Sequence, residues 1–239
     1  MKVFAISDFH LSINNPKPMN IFGEVWDNYL DDIVRFWQEN ISDEDIVLIA
    51  GDTSWAMNLD GVKADLEFLG AFKGKKVLLR GNHDYWWHSI SALRAILPYN
   101  MYAVQNDCLR IGDFLICGSR GWTTPENGIF ADDDKKIYDR ELIRIKLSLD
   151  EMSKQRKEGD KVFVMTHFPP FNSKFESSPF TRLIGSYHVD KVVYGHLHGK
   201  NVRAKSVVSI DGTDYVLTSC DMINNTPVLL WTDEEEKDV

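Results

Sequence analysis

The strongest constraint in this sequence is a repeated arrangement in which a short, wholly apolar run ends directly in a polar block. Val3-Phe4-Ala5-Ile6 leads into Asp8-Phe9-His10, and Ile46-Val47-Leu48-Ile49-Ala50 into Gly51-Asp52. Val77-Leu78-Leu79 leads into Arg80-Gly81-Asn82-His83-Asp84, Val162-Phe163-Val164-Met165 into His167, and Val192-Val193-Tyr194 into Gly195-His196-Leu197-His198. Short continuous apolar runs read as strands buried on both faces. In open α/β sheets, ligands bind beyond the carboxyl ends of the strands. Asp52 and Asn82 lie 30 positions apart, and His167 and His196 lie 29 apart. That is close to one βαβ unit, which returns the chain to the same sheet edge. The pattern predicts that the five polar blocks gather along one edge.

The intervening segments supply the other layers. Phe22, Val25, Trp26, Tyr29, Leu30, Ile33, Phe36 and Trp37 recur at three- and four-residue spacing, which predicts one amphipathic helix. Asp60 is placed to cap a helix carrying Val62, Leu66 and Leu69. Ile90, Leu93, Ile96 and Leu97 mark a short helix ended by Pro98. Strands are expected at Met101–Val104, Cys108–Ile111 and Phe114–Cys117, the last two flanking Gly112-Asp113. Leu142, Ile145, Leu149 and Met152 give another helix, closed near Gly159. Phe171 to Arg182 reads as a loop beside His167, suited to a lid. Val207–Ile210 and Tyr215–Leu217 flank the hairpin signal Asp211-Gly212, and Val228–Trp231 closes the set. With no repeat or linker in between, the expectation is one α/β domain over residues 1–232, a mixed two-sheet sandwich. A frayed acidic tail over residues 233–239 follows.

The donor types at the strand ends are two aspartates (Asp8, Asp52), four histidines (His10, His167, His196, His198) and one asparagine (Asn82), with no thiolate. Such O and N donors suit Mn, Fe, Zn, Co or Ni and exclude Cu(I) or an iron–sulfur cluster. Seven ligands exceed one tetrahedral site and suffice for two metals if a carboxylate bridges them. Two metals about 3.5–4 Å apart clamp the attacking and leaving oxygens of an in-line displacement at phosphorus. Taken singly, each block has an ordinary reading: Asp-x-His or Gly-Asp as a turn, His167 as a core histidine. The conjunction decides against that, because of the seven histidines in the chain five (His10, His83, His167, His196, His198) sit at strand ends.

The net charge of −9 and pI near 5.2 argue against a protein that grips extended nucleic acid, which needs a basic face. A small-molecule phosphate ester remains open as the partner. The three cysteines form no C-x-x-C pair and are odd in number, as expected of free thiols in a reducing compartment. No apolar run reaches the length of a membrane span, and the first residues lack the features of a signal peptide. The expectation is a soluble cytoplasmic protein.

The order D-x-H, G-D, G-N-H-D, H, G-H-x-H, running from Asp8 to His198, resembles the calcineurin-like metallophosphoesterase superfamily. The resemblance implies a four-layer αββα sandwich of two mixed sheets. It implies that Asp8, His10 and His198 hold a first metal, that Asn82, His167 and His196 hold a second, and that Asp52 bridges them. A hydroxide completing the bridge would attack phosphorus, and His83 would protonate the leaving oxygen as general acid. Asp84 would orient His83 or bond to nearby backbone. Arg80 and Arg120 are candidates to reach phosphoryl oxygens, the alternative for Arg80 being a plain surface arginine. Trp55, Trp86, Trp87 and Trp122 lie near strand ends, either to stack on a substrate base or to serve as wall and core; Trp55 and Trp87 are the substrate candidates. The block Gly51-Asp52-Thr53-Ser54-Trp55-Ala56-Met57 lacks the arginine and second aspartate of the protein serine/threonine phosphatases, which carry G-D-x-x-D-R-G. The expectation is therefore a phosphoesterase preferring diesters. The alternatives are a phosphomonoesterase and a non-catalytic metal-binding module.

Overall fold

Successive side chains along the fully buried central strands point to opposite faces, which divides the apolar residues into three layers and builds the fold. The computed structural model describes residues 1–130 and 132–233. Beyond Asp233, the expected acidic tail lies outside the described residues. In chain order the elements begin with β1 (Lys2–Ile6), α1 (Tyr29–Asn40), β2 (Ile46–Ile49), α2 (Lys63–Gly70), β3 (Lys75–Leu79), α3 (Ile90–Arg94) and β4 (Met101–Val104). They continue with β5 (Cys108–Ile111), β6 (Phe114–Gly118), α4 (Asp132–Gln155), β7 (Lys161–Met165), α5 (Pro179–Gly185) and β8 (Lys191–Tyr194). A hairpin of β9 (Val207–Ile210) and β10 (Thr213–Leu217) follows, then β11 (Val228–Thr232).

One sheet has the order β11-β1-β2-β3-β4, the other β5-β6-β7-β8-β10-β9. In the first, β1 to β4 run parallel and β11 pairs antiparallel at the edge. In the second, β6, β7, β8 and β10 are parallel, flanked by antiparallel β5 and β9. Both sheets are mixed, as expected. Val3, Ala5, Ile46, Leu48, Val77 and Leu79 face Phe114, Ile116, Phe163, Met165, Val193 and Val216 between the sheets. The opposite residues of the first sheet, such as Phe4, Val47 and Leu78, pack under α1, α2 and α3. Those of the second, such as Leu115, Val164 and Tyr194, pack under α4 and α5. The layering is helix, sheet, sheet, helix. No helix among the described residues is long and apolar enough to cross a membrane.

Four local expectations are corrected. The helix predicted from Phe22 begins only at Tyr29; upstream, 3-10 turns at Met19–Phe22 and Glu24–Trp26 are interrupted by Gly23 (φ 133°), and Asn28 (φ 55°) turns the chain into α1. Asp60 does not cap α2, because its carboxylate takes a hydrogen bond from Lys63 Nζ at 2.7 Å. The helix after Ser89 ends at Arg94, short of Ile96 and Leu97. The expected loop over residues 171–182 contains the start of α5, capped by Ser178 with Pro179 in its first turn. That Ser-Pro step was the available signal, since proline is tolerated where the first N–H has no partner.

The two sheets are stitched together at the edge where the polar blocks emerge. Ser7 bridges in parallel to Ser219. Its N–H donates to Thr218 O at 2.8 Å, and its carbonyl accepts from Cys220 N at 3.1 Å.

Candidate metal centre

Beyond the end of β1 the chain keeps pairing with the loop after β2. Asp8 N donates to Gly51 O at 2.9 Å, His10 N to Asp52 O at 3.0 Å and Leu11 N to Thr53 O at 3.0 Å. Four of the expected ligand residues hold left-handed backbone conformations: Asp8 (φ 62°), His10 (49°), Asp52 (51°) and His196 (71°). For non-glycine residues this costs of order 1–2 kcal/mol each, and such strain persists mainly at functional sites. The glycines of two blocks are there for close approach. A Cβ at Gly81 would run into the Asp52 amide and carboxylate, and one at Gly195 into the Asp8 carboxylate and Ser7 Oγ.

All seven expected ligands are brought together. Candidate ligand atoms of Asp8, His10 and His198 lie within 4.8 Å of one another, as do those of Asp8, Asp52 and His167. Asp52 Oδ2 is 3.4 Å from His167 Nε2 and 3.8 Å from His10 Nε2. Asn82 Oδ1 lies 2.7 Å from His167 Nε2 and 2.9 Å from His196 Nδ1. Asp8 is shared by both triads, whereas the sequence singled out Asp52 for the central position. The donor set suits one or more divalent ions of the Mn, Fe, Zn, Co or Ni type, and the buried, unpartnered His10 Nδ1 marks an unfinished polar network.

Two imidazoles are aimed by their back nitrogens. His167 Nδ1 donates to Ala50 O at 3.0 Å, and His198 Nδ1 donates to Asp221 Oδ1 at 2.8 Å. Fixing one ring nitrogen in this way turns the other toward a metal site. Asp221 also accepts from Gly199 N at 3.0 Å, and Ser7 Oγ donates to Asp8 Oδ2 at 2.6 Å. The sequence reading missed Asp221. Its one signal was position, four residues after the end of β10.

The electrostatics divide the histidines into two kinds. Burial opposes charge on all four. It prevails at His10, which falls to about 4, and at His196, which falls to about 4 with the His167 charge adding to the effect. At His167 the nearby Asp52 outweighs burial and raises the group to about 9; at His198, Asp8 and Asp221 raise it to about 10. Burial also opposes the two carboxylates, yet His198 holds Asp8, and His167 holds Asp52, below the usual range. The His167 and His198 charges thus face the Asp8 and Asp52 carboxylates, and Asp221 and Asp84 add further negative charge to a volume suited to cations.

The remaining candidates separate by role. The Asp84 carboxylate bonds to backbone and not to His83 Nδ1, which has no hydrogen-bond partner among the described residues. The Asp84 carboxylate accepts from five N–H groups: Asp52 (3.0 Å), Thr53 (2.9 Å), Ser54 (3.2 Å), Gly81 (2.7 Å) and the Trp86 indole (3.0 Å). Burial, with the Asp52 charge, pushes the Asp84 carboxyl up to about 7 against the backbone donors. Because all five partners donate, a proton there would displace one of them, so we assign it the ionised form. His83 N donates to Asp52 Oδ1 at 2.8 Å, and its ring lies 5.6 Å from that of His10. Trp55 stacks on His10 (4.6 Å, 21°) and packs on His83 (4.6 Å), forming a wall of the site. Trp87 is buried and donates to Gln105 Oε1 at 2.6 Å, which corrects its expected role as a substrate contact. Arg80 and Arg120 turn into a cavity beside the strand ends, lined also by Ser119, Glu141 and Arg144.

The sequence pattern of the calcineurin-like phosphoesterase family matches residues 1–200. Two relatives from different strains of Helicobacter pylori, each an uncharacterized metallophosphoesterase, are 24% and 23% identical over 205 residues. That stretch is 84% of this chain and 45% of each relative, so the chain spans about half the length of the curated relatives it matches. Among solved structures, the phosphopantetheinyl hydrolase of Mycobacterium tuberculosis aligns with a TM-score of 0.55 at 12% identity, over 100% of this chain and 98% of that one. A protein of unknown function from Aquifex aeolicus aligns at 0.50 and 15% identity, over 95% of both chains. At these identities the likeness is one of fold.

Proposed function

The chain belongs to the calcineurin-like phosphoesterase family, and on that premise we propose that it is a dinuclear metal-dependent phosphoesterase. Its substrate is a small phosphate ester, a diester in preference to a monoester. The observation that carries this reading is the convergence of two carboxylates, four imidazoles and one carboxamide where the strand ends of both sheets meet, with His83 beside them. Asp8, His10 and His198 would hold one ion and Asn82, His167 and His196 the other, and Asp52 would serve both. A divalent ion held there supplies positive charge to phosphoryl oxygens and lowers the pKa of water to about 7.

The chain's own groups do the rest. Asp84 fixes the Asp52 loop through the Asp52, Thr53 and Ser54 amides. Asp52 in turn accepts from the His83 backbone N–H, so the loops carrying ligand and acid are tied together. His83 Nδ1 is buried without a partner among the described residues, and Nε2 is the nitrogen we assign to the leaving oxygen. The missing arginine after Gly51-Asp52 supports a diester over a phosphoprotein. The free thiols of Cys108, Cys117 and Cys220 support a cytoplasmic setting.

The test is turnover of bis-p-nitrophenyl phosphate against p-nitrophenyl phosphate with added Mn²⁺, alongside Asp52→Asn and His83→Ala. The expected result is preference for the diester, with His83→Ala losing roughly 10²–10⁴-fold in rate. Preference for the monoester would overturn the diester assignment. Metal-loaded protein that turns over neither ester would favour the binding module.

A further inference from the structure

A cavity of about 130 Å³ opens at the carboxyl ends of β3, β4 and β6, against α4, and five of its lining residues are Arg80, Ser119, Arg120, Glu141 and Arg144. Three guanidinium groups there face one carboxylate. Glu141, almost fully buried, lies 2.6 Å from Arg144 Nη1 and 3.6 Å from Arg120 Nη2. Arg80 has no ion pair among the described residues. Three buried donors of this lining, Arg80 Nε, Ser119 Oγ and Arg120 Nε, have no hydrogen-bond partner among the described residues; Glu141 Oε2 is also unpartnered, and as an acceptor it suits only the P–OH of a protonated phosphate. Buried polar groups are otherwise paired. The Arg80 and Arg120 side chains are partly buried and Arg144 is exposed at the mouth, so the cavity presents two cations beyond the one that Glu141 offsets to a ligand entering from solvent.

We infer that this cavity is a binding site for a phosphate-type oxyanion, separate from the metal centre but fastened to it. Guanidinium forks match such an anion with paired N–H donors, and the Ser119 hydroxyl adds a further donor. A water occupies about 30 Å³, so the cavity has room for one tetrahedral oxyanion together with water. The fastening is direct. The Arg120 carbonyl accepts from both His167 N (2.9 Å) and Phe168 N (3.0 Å), and Arg80 is two residues from Asn82. The oxyanion comes either from a second phosphoryl group of the substrate or from free phosphate. The substrate source rests on the phosphoesterase reading above; the cavity does not.

The experiment is calorimetric titration of inorganic phosphate into Mn²⁺-loaded and chelator-treated protein, for the native chain, Arg80→Gln and Arg144→Gln, each checked for folding by thermal melting. We expect phosphate binding to survive chelation and to weaken about tenfold or more in both variants, as for loss of a charge-assisted pair. Phosphate binding that vanishes on chelation, or is unchanged in folded variants, overturns the inference. The source is read from Arg144→Gln kinetics on two esters: bis-p-nitrophenyl phosphate, and thymidine bearing a 3′-phosphate and a 5′-(p-nitrophenyl phosphate). A KM rise about tenfold larger for the second supports the substrate's own phosphoryl group; an equal change supports free phosphate. If the native chain turns over neither ester, the phosphoesterase reading fails while the titration still decides the cavity.

Discussion

The His198 imidazole is held from behind by Asp221, whose carboxylate accepts from Nδ1 at 2.8 Å while Nε2 faces Asp8 at 3.1 Å. An outer carboxylate of this kind sets the tautomer and orientation of a ligand histidine and raises its basicity. Asp221→Asn is expected to weaken metal binding by roughly 10–100-fold with the fold intact. Titration of Mn²⁺ into metal-free protein measures this; unchanged affinity would remove Asp221 from the site.

Asp84 joins the loops after β2 and β3 through five N–H donors. In Asp84→Asn one oxygen becomes an NH₂ group facing donors, leaving buried N–H groups unpaired. The expected loss of stability is about 1–3 kcal/mol, read as a lower urea midpoint. Activity should fall as well, because Asp52 is anchored by the same network. A variant as stable as the native chain would show that the donors find water instead.

Gly81 packs against Asp52 so closely that a Cβ would meet its amide and carboxylate. Gly81→Ala is expected to cost about 1–3 kcal/mol, as other overpacking substitutions do, and to displace Asp52. Thermal melting and metal content together test this. Native values for both would mean that the two loops can separate freely.

Metal loading should release protons. His167, raised to about 9, and His198, raised to about 10, are protonated at pH 7 in metal-free protein. His10 and His196, lowered to about 4, are already neutral. Ligation requires neutral imidazole, so about two protons leave on loading at pH 7. Apparent affinity therefore rises with pH and levels off above pH 10. Calorimetry in buffers of different ionisation enthalpy counts these protons; a count near zero would show that the cluster is neutral before loading.

Much of the fold was legible because buried parallel strands advertise themselves as unbroken apolar runs. Val3–Ile6, Ile46–Ala50 and Val162–Met165 needed no tertiary information, and neither did the Asp211-Gly212 hairpin. Helix starts were harder. The apolar stripe from Phe22 to Trp37 continues through two turns that are not α-helical, because Gly23 and Asn28 take positive φ without breaking the spacing of large side chains.

Sequence alone determined which chemistry the sheet edge could carry. Each polar block follows its strand directly, but β1 to β3 lie in one sheet and β7 and β8 in the other, so parallel pairing gathers three blocks and two, and the stacking of the sheets joins them. Only the tertiary structure decided what each block touches. Asp84 was free to face His83 or the backbone until the loops after β2 and β3 met. Trp87 and Trp55 are alike in sequence, yet one is sealed in the core and the other walls the site. Asp221 reaches His198, and Arg120 and Arg144 meet at one buried glutamate beside Arg80, only because β10, β6 and α4 fall into particular registers. Those contacts join residues distant along the chain, and local spacing carries no record of which side chains the packing of two sheets will bring face to face.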